Sequence, residues 1–116
     1  MSFTRAVDGA QRLQALERAN RVRGVRAELK RRIAAHELTA AEVILSPRWE
    51  IDSMPLGELL VSQRHWGAVR SRGFLARMGF GERKTIGSLT ARQRIASAAL
   101  LTRGEAGSRE SGHVAP

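Results

Sequence analysis

Residues 63–71, QRHWGAVRS, decide the predicted fold, because a glycine stands directly before a helix-forming segment. Gly67 suits a tight turn, and it lets the backbone N–H groups of the next helix approach an anion. Ser71 is small enough for two helices to pack closely. Three arginines surround the same helix start: Arg64, Arg70 and Arg72. The segment predicts a helix–turn–helix pair that binds phosphates, with an ordinary inter-helix turn as the alternative.

Two capping boxes mark the starts of helices on either side of this turn. Each pairs a threonine with a Glu or Gln three residues later, which satisfies free N–H groups at a helix N-terminus. Thr39-Ala40-Ala41-Glu42 begins a short helix, and Ser46-Pro47 ends it, because the residue before proline avoids helical backbone. Thr90-Ala91-Arg92-Gln93 begins a last helix that is predicted to run to about Leu101.

Between the capping boxes, apolar residues predict two more short helices on an aliphatic core. One begins at Pro55, a residue suited to the first helical position, and the other covers residues 68–78. Trp49 and Ile51 are expected to hold the connector 47–54 to the core. The other apolar side chains expected in the core are Leu56, Leu59, Leu60, Val69, Phe74, Leu75, Met78, Ile95, Ala98 and Ala99. No segment alternates like a strand, so the predicted fold class is all-α.

A long basic helix is predicted over residues 10–36, before a compact bundle of about four short helices in residues 37–101. The apolar residues of the long helix recur at three- and four-residue steps: Leu13 and Leu16, then Val22, Val25, Leu29 and Ile33. This stripe is narrow, so we expect only part of the helix to dock. Residues 1–9 are predicted to be a flexible N-terminus. The composition of residues 102–116 predicts a disordered tail.

Two basic blocks flank an acidic segment. The formal net charge is +9, and only Lys30 and Lys84 among the basic residues are lysines. Residues 12–32 carry a net charge of +6, residues 33–58 a net charge of −4, and residues 59–103 a net charge of +8. Arginine is well suited to phosphate and base edges. The pattern favours a polyanionic partner over an ordinary solvated surface.

Composition argues against several classes of protein. The chain has no cysteine, which excludes disulfides, cysteine-based zinc sites and thiol catalysis. His36, His65 and His113 are too scattered to form a metal site, and no phosphate-loop motif occurs. We therefore expect neither an enzyme nor a cofactor. No apolar run is long enough to cross a membrane, and the N-terminal residues lack an apolar signal core, which predicts a cytoplasmic protein.

A second candidate contact is the glycine-bounded loop 81–87, which carries adjacent cations. The predicted DNA-binding residues are Arg64, His65, Gly67, Arg70, Arg72, Arg83, Lys84, Arg92 and Arg94. His65 is interpreted as a phosphate contact or a turn residue, and Trp66 as a packing residue. A second basic surface is predicted along one face of the long helix, formed by Arg12, Arg23, Arg26 and Lys30.

Several motifs together resemble one known family. They are Leu59-Leu60, residues 67–71 (GAVRS), Phe74-Leu75 with Met78, Arg83-Lys84 and residues 89–94 (LTARQR), together with RAELKRRI at 26–33. Over residues 10–101 the chain is similar to the actinobacterial integration host factors, with their helix–two-turns–helix module. The resemblance implies a nucleoid-associated protein that binds duplex DNA with little sequence preference, bends it and assists phage integrases.

The chain departs from the family pattern at two positions that bear on contacts. The family hairpin has a proline and an apolar residue before the glycine, whereas this chain has Arg64 and Trp66. The family loop carries three arginines around an apolar residue, whereas residues 84–87 are KTIG. A divergent member encoded by a phage or mobile element is one alternative left open. An RNA- or ribosome-associated protein and a helical protein–protein adaptor are the others.

Overall fold

The computed structural model describes the backbone of residues 2–114 and the side chains of residues 8–104. Over this part of the chain the fold is all-α, as the sequence predicts, with one isolated antiparallel bridge between Pro55 and Thr85. The α-helices are α1 (Ser2–Ala34), α2 (Ala40–Leu45), α3 (Leu56–Val61), α4 (Ala68–Met78) and α5 (Ala91–Val114). Two short 3₁₀ helices cover Trp49–Ile51 and Ile86–Ser88.

The core of the bundle is aliphatic, as the composition predicts, and α2 packs against α5 at its centre. Both predicted capping boxes are present. Glu42 and Thr39 exchange side-chain and backbone hydrogen bonds at the start of α2, and Gln93 and Thr90 do so at the start of α5. The fully buried apolar side chains are Ile44, Ile51, Met54, Leu56, Leu59, Leu60 and Ile86.

Only the second half of α1 docks on this core. Leu29 and Ile33 are buried and Val25 is partly buried, whereas residues 8–20 are exposed. Polar contacts reinforce the docked half, because Arg26 donates to the Glu50 carbonyl at 3.4 Å and to the Ser53 hydroxyl at 2.6 Å. The narrow apolar stripe therefore correctly predicts a helix that is partly docked.

The segment around residues 84–87 is fixed to residues 52–56 by three backbone hydrogen bonds. The N–H of Leu56 donates to the Lys84 carbonyl at 2.7 Å, and that of Ile86 to the Met54 carbonyl at 3.0 Å. The N–H of Gly87 donates to the Asp52 carbonyl at 2.9 Å, and a Cβ on Gly87 would lie 2.8 Å from that oxygen. The backbones at Gly87 and Asp52 approach so closely that only glycine fits at position 87.

The structure corrects the predicted helix ends. Helix α1 begins at Ser2 rather than near Ala10, so the predicted flexible N-terminus is helical from residue 2. Helix α5 continues to Val114 rather than ending near Leu101, and residues 115–116 of the predicted tail lie outside the described residues. Neither extension contains a proline. Each glycine in a helix costs only about 1 kcal/mol relative to alanine, so the glycines in these extensions do not end the helices. Pro55 is the N-cap of α3 rather than its first residue.

Three apolar side chains that the sequence places on the core are exposed. Val69 is 77% exposed because it lies on the side of α4 away from Phe74 and Leu75. Ile95 is 64% exposed because the inward face of α5 carries Ala98 and Leu101. Trp49 is 42% exposed, because its ring contacts Arg18 of α1 rather than the core.

Candidate nucleic-acid interface

The turn between α3 and α4 is closed by local hydrogen bonds. The Ser62 hydroxyl donates to the Leu59 carbonyl at 2.5 Å, and the Gln63 amide donates to the Leu60 carbonyl at 3.0 Å. The Trp66 N–H then donates to the Gln63 carbonyl at 3.2 Å. The last carbonyls of α3 are therefore satisfied within the turn, which fixes where the next helix begins.

The left-handed position of this turn falls at His65, with φ 67°. The sequence assigns the turn to Gly67, and that detail is wrong, because Gly67 has extended backbone with φ −98° and ψ −176°. A left-handed histidine is strained by about 1–3 kcal/mol, and the surrounding hydrogen bonds hold it there. His65 therefore acts as the turn residue, one of its two predicted roles.

Gly67 is the N-cap of α4, and this helix start is open. None of the described side chains caps it, and its first turn carries no acidic residue. A Cβ on Gly67 would meet no atom within 4 Å, so packing inside the protein does not require glycine here. The N–H groups of the first turn, with the positive end of the helix dipole behind them, are arranged to bind an anion.

Trp66, which directly precedes the N-cap of α4, contacts both the core and Arg70. Its ring centroid lies 6.0 Å from that of Phe74 in an edge-to-face arrangement, so Trp66 packs on the core as the sequence predicts. The Arg70 guanidinium lies 4.2 Å from the centroid of the Trp66 ring. This cation–π contact orients Arg70 beside the start of α4.

The structure brings part of the predicted site together in one groove. Arg64, His65 and Arg70 line a cavity of about 480 Å³ with Trp66 and His36. Sequence analysis missed His36, which also has a left-handed backbone (φ 60°), because only the folded chain brings the end of α1 to this turn. Arg72 does not line the groove, since residues two apart on a helix face different ways.

The two cations of the loop before α5 differ: Lys84 contacts other groups of the protein, whereas Arg83 is exposed. The Lys84 ammonium lies 5.3 Å from the centroid of the Phe80 ring and donates to the Ser88 carbonyl at 3.2 Å. Arg83 is exposed and has no ion pair with any side chain that the structure describes. Arg83 is therefore the better placed of the two to contact a ligand.

Arg92 and Arg94 point to different sides of α5. Arg94 donates to the Ile44 carbonyl at 3.2 Å and to the Ile86 carbonyl at 3.0 Å, so its guanidinium joins α2 and the second 3₁₀ helix. Arg92 is exposed. The sequence assigns both residues to the predicted DNA-binding set, but the guanidinium of Arg94 is occupied by contacts within the fold.

Two of the four residues in the predicted second basic surface on α1 contact the bundle. Lys30 forms an ion pair with Glu58, and Arg26 contacts the Glu50 carbonyl and Ser53. Arg23 donates to the Asn20 side chain at 3.1 Å on the same helix. Of the four predicted residues, Arg12 alone has neither a hydrogen bond nor an ion pair with a described side chain.

The acidic segment supplies buried and half-buried partners for the arginines of α1. The Glu50 carboxylate is almost fully buried and accepts from Arg21 and Arg48, each at 3.1 Å. Burial by itself raises the pKa of Glu50, but its own backbone N–H, the Arg21 hydrogen bond and the charges of Arg48 and Arg21 together lower that pKa below its ordinary value.

The basic block 59–103 keeps its charge unpaired. Within the part of the chain whose side chains are described, all six ion pairs belong to residues 21–58. The arginines around the turn and along α4 are exposed: Arg64, Arg70, Arg72 and Arg77. The fold therefore pairs part of the positive charge of α1 with carboxylates and leaves the arginines of α4 without such partners.

A second groove beside α4 contains arginines that the sequence analysis missed. Arg77 and Arg103 line a cavity of about 460 Å³ between α4 and α5, together with Trp66 and Arg70. Arg77 follows Arg70 by two helical turns, so the spacing on α4 carried a signal for it. Arg103 lines the groove from α5, far from α4 in the sequence, so no local pattern reports it.

Neither a candidate metal site nor a membrane-spanning helix occurs among the described residues. They contain no group of three or more histidine, cysteine, aspartate or glutamate side chains that could hold a metal ion. None of the described helices is long and apolar enough to span a bilayer.

Comparison with known proteins gives one informative similarity. No protein-family model matches the chain, and no curated protein sequence matches it. A solved structure of sIHF bound to an 8 bp palindromic DNA matches with a TM-score of 0.66 and 28% sequence identity. The match covers 73% of this chain and 98% of that one. The chain therefore has an IHF-like, all-helical fold.

Proposed function

We propose that this protein binds duplex DNA as a nucleoid-associated protein of the integration-host-factor kind. The observation that carries the proposal is the fold similarity to sIHF, whose structure contains DNA. It is supported by the open start of α4, where backbone N–H groups and unpaired arginines face the same region. Contacts to phosphates through such groups position a duplex without selecting its sequence.

The proposed interface centres on the turn before α4. Arg64 and His65 flank the helix start, Gly67 exposes its N–H groups, and Arg83 lies on the loop before α5. Arg70, Arg72 and Arg92 are the other exposed cations assigned to this proposed interface. Arg94 and Lys84 support the scaffold, because their cationic groups already bind carbonyls of the protein.

Fluorescence anisotropy with a labelled mixed-sequence duplex at several salt concentrations tests the proposal. Affinity is expected to fall steeply with salt, by a logarithmic slope of about 0.9 for each phosphate that is neutralised. The double variant Arg64→Ala/Arg83→Ala is expected to bind more weakly and to lower that slope by about 2.

A matched control separates a defined site from general attraction. Arg31→Ala/Arg32→Ala removes the same net charge from α1, where both arginines contact Glu37. This control is expected to keep the affinity and salt slope of the parent protein. Equal weakening of both double variants would mean that overall charge, rather than the turn, attracts DNA.

DNA bending and weak sequence preference belong to the same proposal. A duplex labelled at both ends is expected to show higher energy transfer on binding, and unrelated duplexes are expected to bind within a few-fold of each other. Unchanged energy transfer would remove bending from the proposal while leaving DNA binding intact. Absence of binding even at low salt would instead direct the search to RNA or to a protein partner.

A further inference from the structure

The projecting half of α1 carries an apolar pair that the protein's own core cannot cover. Leu13 is 56% exposed and Leu16 is 55% exposed. At about 100° per residue, both lie on nearly the opposite side of the helix from Leu29 and Ile33, which dock α1 on the bundle. Bending α1 towards the bundle would therefore not bury these leucines.

The exposed side of α1 has the spacing of a coiled-coil seam. Gly9, Leu13, Leu16 and Asn20 follow one another at steps of four, three and four residues, which are alternate d and a positions of a heptad. In this register Arg12 occupies the g position and Glu17 the next e position. Both are exposed and neither has an ion pair with a described side chain.

We propose that the projecting halves of α1 from two copies of this protein pair in parallel over residues 9–20. In a parallel two-stranded coil, a g residue faces the following e residue of the other helix. Arg12 of each copy thereby meets the partner's Glu17, giving two ion pairs. This charge complementarity selects a second copy of the chain, in this orientation, as the occupant of the seam.

Asn20 fits the same arrangement. An asparagine at a single a position of a coiled coil fixes the register by bonding to its counterpart. Its Oδ1 accepts from Arg23 at 3.1 Å, which leaves the amide N–H groups of Asn20 available as donors. Arg23 itself falls at the next d position, where like charges end the pairing.

The buried docking residues of α1 lie on the other side of the helix from the seam. Gly24 and Ala27 continue the exposed side of α1, and both are small and exposed. The bundle packs on the other side through Leu29 and Ile33, so two bundles would lie on the outside of a paired α1. Twelve residues, fewer than two heptads, give weak association. The pairing is tested without DNA, so it stands independently of the proposed function.

Disulfide trapping of the full chain tests the pairing directly, because the sequence contains no cysteine. Leu16→Cys places one thiol on the seam, and Gln11→Cys places one on the opposite, exposed side as a matched control. In a glutathione redox buffer, Leu16→Cys is expected to form linked dimer about tenfold faster than the control, because pairing raises the effective thiol concentration. Equal rates for the two variants would overturn the proposal.

A charge exchange tests the register. Arg12→Glu and Glu17→Arg are each expected to weaken self-association in sedimentation velocity, since each places like charges opposite one another. The double variant Arg12→Glu/Glu17→Arg is expected to restore it, because the ion pair is then reversed. Failure of the double variant to recover association would overturn the parallel register. Normal DNA binding by an unpaired variant would leave the proposed function standing.

Discussion

At the scale of single residues, Arg92 and Arg94 are expected to behave differently although they are two positions apart. Arg94→Ala removes hydrogen bonds to the Ile44 and Ile86 carbonyls and is expected to cost about 1.5–3 kcal/mol in the free energy of unfolding. Arg92→Ala is expected to leave the unfolding midpoint in urea unchanged and to weaken DNA binding. A stable Arg94→Ala protein would contradict the structural role given to Arg94.

Gly87 offers a second test at this scale. Gly87→Ala brings a methyl group to 2.8 Å from the Asp52 carbonyl oxygen and is expected to cost about 1–3 kcal/mol in urea unfolding. Gly81→Ala is the matched control, because a Cβ there meets no atom within 4 Å. Similar unfolding midpoints for both variants would show that the backbone near Asp52 relaxes freely.

Individual residues also show where sequence reasoning succeeds and where it stops. The capping boxes at Thr39 and Thr90 were predictable, because a cap depends on residues three positions apart. The left-handed position at His65 was not, since histidine in that conformation is stabilised only by the finished turn. The same limit explains Arg94, whose carbonyl partners are distant in sequence.

At the scale of elements, docking of α1 is expected to depend on pH through Glu50. The pKa of Glu50 is lowered in the fold, so the folded protein binds fewer protons there than the unfolded chain. Its stabilising effect is therefore complete above the ordinary pKa of 4.5 and is lost as pH falls through the lower folded value. Thermal unfolding measured from neutral pH to below 4.5 should show this loss.

Glu50→Gln is the control for this pH dependence. The variant is expected to have a lower melting temperature at neutral pH, because Arg21 and Arg48 lose a charged partner. It is also expected to lose less stability on acidification than the parent. An unchanged acid dependence in Glu50→Gln would assign the effect to other carboxylates.

The existence and order of the helices followed from the sequence, but two of their ends did not. Apolar spacing identified α4 at residues 68–78 because Gly67 and Gly79 bound it on both sides. At the outer ends of α1 and α5 the helix continues through glycines such as Gly9 and Gly104, so composition suggested flexibility where the structure has helix. Burial of Met54 and Ile86 depends on pairing between two loops, which no local pattern reports.

At the scale of the whole molecule, the N-terminal half of α1 adds length without supporting the bundle. The molecule measures 75 × 28 × 23 Å, and the described residues 8–20 are exposed. Deleting residues 2–16 retains Arg18 over Trp49, and is expected to change the free energy of unfolding by less than about 0.5 kcal/mol. Circular dichroism should show reduced helix content. A much larger loss of stability would contradict an independent bundle.

The overall separation of charge was predictable from sequence blocks, whereas its consequence for the interface was not. The blocks 12–32 and 59–103 look equally suited to a polyanion in the sequence. In the fold, carboxylates from residues 33–58 pair with four of the eight cations of the first block, whereas the arginines of α4 have no ion pair with a described side chain. We therefore expect the interface to lie around α4, because tertiary contacts occupy part of the first block.

The loop that carries Arg83 has a thermodynamic consequence for binding. Three backbone hydrogen bonds already hold residues 84–87 against residues 52–56. Because the loop is already ordered, binding a phosphate there restricts its motion very little. The conformational entropy of the loop is lost on folding rather than on association. Weakening the hydrogen bonds that hold this loop is therefore expected to leave the association rate unchanged and to raise the dissociation rate of the complex.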